Sequence, residues 1–138
     1  MRIKDVMSRE TPTIDPDASL QEAAELMASE DLMALPVTER GRVVGVLTQR
    51  DIIARAVAAA LDARETKVDE LMSEDYASCS ADCGLERAEA IMSEAGAERI
   101  LVLDEDGRLE GTAGLEDVAS SGPDFAVDAP DPRALAFN

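Results

Sequence analysis

The sequence predicts an α/β fold of the α+β kind, in which two β-α-β-β-α repeats pack as one module around a pseudo-twofold axis. Three observations predict it. Met7, Ser8, Asp17, Leu20, Ala23, Met27 and Val37 recur 65 positions later as Met72, Ser73, Asp82, Leu85, Ala88, Met92 and Val102. The repeat then slips by one residue, so that Gly41, Arg42, Gly45 and Asp51 return 66 positions later as Gly107, Arg108, Gly111 and Asp117. A slip of that size belongs in a hairpin turn. Finally, short apolar runs of strand length alternate with stretches of helical periodicity in both copies. A unit of about 60 residues buries too little surface to be comfortable alone, so the copies are expected to pack on each other and to form a groove.

Each element follows from local chemistry. Ile3 to Met7 reads as a short helical entry segment, and Thr11-Pro12-Thr13-Ile14 as a brief extended piece. Ser19 can cap a helix whose apolar face is Leu20, Ala23, Ala24, Met27 and Ala28. Leu35 to Thr38 is the next strand, Arg40-Gly41-Arg42 a turn, and Val43 to Leu47 the strand that returns. Thr48 opens a helix predicted to run to about Leu61. In the second copy Val68 to Met72 is the entry segment, Tyr76 to Ser80 the extended piece and Gly84 to Ala95 the helix. Ile100 to Leu103 and Leu109 to Ala113 are strands joined by Asp104-Glu105-Asp106-Gly107, and a short helix follows from about Leu115 to Ala119. The repeats occupy residues 1–64 and 65–120, and 121–138 form an acidic, Pro-containing tail expected to be flexible. Phe125 and Phe137 in that tail leave docking onto the module open.

Composition excludes several function classes. With 30 acidic against 13 basic residues and a net charge of −17, no basic stripe is available to neutralise a nucleic-acid backbone. No segment approaches the roughly 18 consecutive apolar residues of a membrane span, and the start of the chain lacks the apolar stretch of a signal peptide, so a cytoplasmic protein is expected. Only Lys4 and Lys67 among the basic residues are lysine. Acid excess with Arg over Lys and abundant Ala resembles proteins that work in molar salt, where screening over about 3 Å relieves self-repulsion; an ordinary acidic protein is the alternative. The chain has no His, no P-loop and no dinucleotide-binding glycine fingerprint, which argues against an enzyme. Cys79 and Cys83 could supply at most half of a zinc site, so free thiols and no metal are expected.

The entry segments Lys4-Asp5-Val6-Met7-Ser8 and Val68-Asp69-Glu70-Leu71-Met72-Ser73, the strand Leu35-Pro36-Val37 and the element Gly45-Val46-Leu47-Thr48-Gln49-Arg50-Asp51 occur in an order that resembles the cystathionine-beta-synthase (CBS) domain, whose tandem pair is called a Bateman module. The resemblance covers about residues 1 to 120. It implies a stand-alone regulatory module that binds an adenosyl ligand, AMP, ADP, ATP or S-adenosylmethionine, between the repeats. Thr48 would face a phosphate at a helix N-terminus, and Asp51 would hold the ribose hydroxyls. Thr13, Ile14, Leu35, Pro36 and Val37 would line the adenine slot. The same Thr48 and Asp51 also fit a plain capping box.

The second copy departs from this pattern. Gly114 stands where Thr48 would recur, Glu116 adds negative charge, and Asp117 retains the ribose-type carboxylate. The first site is therefore expected to be the stronger. Arg99 precedes a strand at a position where related modules often carry a phosphate-reaching base; pairing with Glu98 or Asp104 is the alternative. The resemblance implies a homodimer and an unnamed regulated protein as partners, with no obligatory cofactor. Ile52, Ile53, Ala56, Val57, Ala59, Ala60 and Leu61 would supply the dimer seam. A structural or interaction module with a vestigial groove is the competing reading.

Overall fold

The computed structural model of the chain describes residues 1–120, so the reading of 121–138 as a tail lies outside the described residues. Each repeat builds a helix and a hairpin. In the first, α1 (Leu20–Ser29) precedes β1 (Ala34–Glu39) and β2 (Arg42–Thr48), and α2 (Gln49–Asp51) runs straight into a π-helical turn, Ile52–Val57. In the second, β3 (Ser78–Cys79) and α3 (Leu85–Ala95) precede β4 (Arg99–Leu103), β5 (Leu109–Gly114) and α4 (Leu115–Ser120). Short 3₁₀ helices, Ile3–Asp5 and Val68–Glu70, are the two entry segments.

Both hairpins are antiparallel, and each is bulged after equivalent residues, Val37 and Val102. The one-residue slip of the repeat lies in their turns. β1 passes to β2 through Arg40 and Gly41, both at positive φ, whereas Asp104 and Arg108 close a three-residue loop. The leading strand differs between copies. β3 pairs in parallel with β4 over two residues, while the Thr11–Ile14 piece makes only one bridge, Ile14 to Val37. Pro12 has no N–H to give a ladder, and Pro16 soon interrupts the chain again.

The entry segments are exchanged. Ile3, fully buried, packs with Ala88, Met92, Ile100 and Val102 of the second repeat. Val68 and Leu71 reciprocate in the core of the first, among Leu20, Met27, Leu35, Val37 and Leu47. The bridges repeat the exchange: Arg2 with Gly84 and Lys67 with Ser19, then Ser8 with Thr112 and Ser73 with Val46. Two glycines permit the close approach. A Cβ on Gly45 would lie 2.7 Å from Met72 Sδ, and one on Gly111 would lie 2.6 Å from the Ser8 carbonyl oxygen. Neither half could keep its core closed without the other's first residues.

The predicted helix from Thr48 to Leu61 is shorter and wider than expected. Ala58 N–H donates to Ile53 and Leu61 N–H to Ala56, five residues back, and Ala60 adopts a left-handed conformation at φ 58°. The chain leaves the helix because it is needed elsewhere. The Thr66 and Ala63 carbonyls accept from Leu20 and Gln21 N–H, while Ser19 Oγ accepts from Glu22, satisfying the first-turn donors of α1. Packing thus overrides the helix propensity of three consecutive alanines.

Candidate functional site

The residues expected at the first site are gathered by strand pairing. Ile14 N–H donates to the Pro36 carbonyl and Thr38 N–H to that of Ile14, so Thr13-Ile14 runs beside β1. Leu35 opposes Leu47 and Ala34 opposes Thr48 in the β1–β2 ladder. Three neighbouring segments therefore bring Ile14, Leu35, Pro36 and Thr48 to one end of the hairpin. Leu35 and Val37 are 0% exposed and belong to the core, so they support the slot from behind and do not face it. Thr13 is exposed.

Thr48 and Asp51 form a reciprocal cap. Asp51 N–H donates to Thr48 Oγ1 and Thr48 N–H donates to Asp51 Oδ2, each at 3.0 Å. Such a cap stabilises a helix start by about 0.5–2 kcal/mol. It does not exhaust either side chain. Asp51 Oδ1 has no hydrogen bond among the described residues, and the Thr48 hydroxyl proton is not committed to an acceptor. An ionised carboxylate has about four lone-pair positions, so capping and diol binding are compatible.

The corresponding junction in the second repeat is arranged otherwise. Gly114 N–H donates to Asp117 Oδ2 at 2.8 Å, preserving half of the cap. Glu116 folds over the glycine: a Cβ there would lie 2.5 Å from its carboxylate oxygen. Arg99 opposes Gly114 in the ladder, lies 3.6 Å from Glu116 and donates to Thr112 Oγ1 at 3.4 Å. Its ion-pair partner is thus Glu116, rather than Glu98 or Asp104. The structure brings Arg99 and Asp117 together at this second junction and Thr48 and Asp51 at the first.

Between the halves lies a cavity of about 230 Å³, lined by Arg9, Thr11, Thr13, Thr38, Gly41 and the Leu109–Gly111 stretch of β5. Of the expected residues only Thr13 lines it. Sequence reasoning missed Thr11 and Thr112, whose hydroxyls are 3.0 Å apart across the two repeats. Thr112 is 3% exposed. Its signal was present in the repeat, which has Val46 at the matching place. Elsewhere, burial and the nearby Cys83 thiol push Cys79 up to about 12, and both thiols are free. Such a cysteine is a poor metal ligand or nucleophile near neutral pH.

The sequence profile of the CBS domain matches residues 3–58 and again 68–123. The chain belongs to the CBS-domain family. CBS domain-containing protein YhcV of Bacillus subtilis is 36% identical over 117 residues, covering 85% of this chain and 82% of that protein. A crystal structure of hypoxic response protein I with two coordinated zinc ions superposes with a TM-score of 0.80 at 29% identity, over 89% of this chain and all of that one. The fold is also that of CBSX2 in complex with AMP, with a TM-score of 0.76 at 23% identity over 87% of this chain and 94% of that one.

 Among the described residues no helix is long and apolar enough to cross a membrane.

Proposed function

We propose that this tandem CBS pair is a regulatory, non-catalytic module of the cytoplasm that binds an adenosyl ligand between its repeats, most strongly at the first. The observation that carries this reading is the Thr48–Asp51 junction. Its carboxylate and hydroxyl keep hydrogen-bonding capacity after capping the helix, beside the backbone of Ile14 and Pro36. AMP, ADP, ATP and S-adenosylmethionine share the ribose diol that Asp51 would accept. In the second repeat Glu116 and Arg99 neutralise each other where a phosphate would enter, which supports a weaker site. The exchanged entry segments give binding a route to a signal, because a ligand that favours one arrangement of the halves shifts the surface a regulated protein reads.

The same reading includes a homodimer. Ile53, Val57 and Leu61, at spacing four, are 63%, 68% and 44% exposed, an apolar row that a twofold partner would bury. Val57→Glu is expected to shift the chain to monomer in light scattering; a wild-type monomer at tens of micromolar protein would contradict the dimer. The function is tested by a thermal-shift panel of AMP, ADP, ATP, S-adenosylmethionine and NAD in molar KCl. At least one adenosyl ligand should raise the melting temperature, and no shift with any would favour a vestigial groove. The melting temperature itself is expected to rise with KCl, as acidic self-repulsion is screened.

A further inference from the structure

We propose that the hairpin tips form a second anion site, on the pseudo-twofold axis, for a chain of two or more phosphoryl groups. Arg42 and Arg108 are copies of one another in the repeat, and they face each other in an antiparallel bridge. The flanking hydrogen bonds are also copies: Val43 N–H donates to Gly107, and Leu109 N–H to Gly41. The axis therefore passes between the two arginines. With Arg40, Glu39 and Val44 they line an open cavity of about 630 Å³.

Three features set this cluster apart. Among the described residues none of the three guanidinium groups has an acidic partner within 4 Å, although the chain carries 30 acidic residues. Like charges placed opposite one another across a bridge repel. Arg40 also holds a left-handed conformation, φ 55°, that Asn or Asp would adopt more cheaply in such a turn. Gly41 lets Arg108 lie across the turn, since a Cβ there would fall 2.6 Å from its guanidinium. Two acids lie nearby: Glu39 is on the lining, and Asp104, whose Oδ1 accepts from Arg108 and Asp106 N–H, also feels the charges of Arg108 and Arg42 without a salt bridge to either, so the three arginines outnumber the two carboxylates.

Guanidinium groups bind phosphoryl oxygens in pairs, and three of them match a phosphate chain better than a single monoanion. The site is separate from the proposed adenosyl groove. Arg42 and Thr48 end the same strand, about 20 Å apart at the usual rise. The proposal does not depend on that reading.

The test is calorimetric titration of the full chain with tripolyphosphate, with ATP and AMP as further arms and sulfate as control, all at one ionic strength. Tripolyphosphate should bind at least tenfold more tightly than sulfate, and Arg42→Gln/Arg108→Gln should lose at least tenfold while Asp51→Ala keeps the affinity. Arg40→Gln, at a surface turn, gives a second variant that should weaken binding without threatening the fold. ATP competing with tripolyphosphate would identify a nucleotide as a source of the chain; failure to compete would identify the free anion. Binding no tighter than sulfate, or unchanged in the arginine variants, would overturn the site.

Discussion

The two halves of the chain repeat one hairpin and one helix, and they differ at the residue that ends the second strand. In the first half Thr48 closes a reciprocal cap with Asp51 and leaves polar capacity unused. In the second, Gly114 removes the side chain, and Glu116 occupies the space beside Arg99. Three differences between the copies, Thr48 to Gly114, Arg50 to Glu116 and Ala34 to Arg99, thus replace an open polar junction with one that carries its own ion pair. The scaffold survives because it rests elsewhere, on the exchange of Ile3 and Val68 between cores.

That division can be broken by attacking the exchange. Ile3→Ala should cost about 2–5 kcal/mol, since it empties a fully buried site in the second core. Denaturant unfolding would measure it, and a change under about 1 kcal/mol would mean that the entry segment is not integral to that core. Removing the neutralising acid sharpens the comparison at the sites. Glu116→Ala frees Arg99 and should add a second nucleotide-binding event per chain by calorimetry; unchanged stoichiometry would assign the weakness of this site to Gly114 alone. The smallest effect is expected at Asp82, whose hydrogen bonds from Lys4 and Arg2 hold its carboxyl below the usual range. A depressed carboxyl stabilises above its unfolded pKa, and the contribution is lost as pH falls through the folded value. Asp82→Asn should therefore lower the melting temperature slightly at neutral pH in dilute buffer, with the difference vanishing at acid pH and in molar salt.

Much of the fold was legible because the repeat checks itself. The face Leu20, Ala23 and Met27 is matched by Leu85, Ala88 and Met92; all but Leu85, which is half-buried at the edge of its core, are buried. The slip between copies located the hairpin turns. What sequence could not supply was partnership at a distance. Local periodicity marks Ile3 as apolar but cannot say that it closes the other copy's core. It also cannot foresee that the helix after Thr48 ends early so that Ala63 and Thr66 can cap α1. At the site, Asp51 and Thr48 are neighbours in sequence and their pairing was readable as a capping box. Arg99 and Glu116 meet only because a glycine leaves the space between strand and helix.

The account's central claim is that the first junction, rather than the second, holds the ribose of an adenosyl ligand. The direct measurement is calorimetric titration of AMP into Asp51→Ala and Asp117→Ala beside the unaltered chain, in high salt. A hydrogen bond to a charged group contributes about 1.5–3 kcal/mol, so Asp51→Ala should lose at least tenfold in affinity and Asp117→Ala clearly less. Equal losses in the two variants, or unchanged affinity in Asp51→Ala, would contradict the claim.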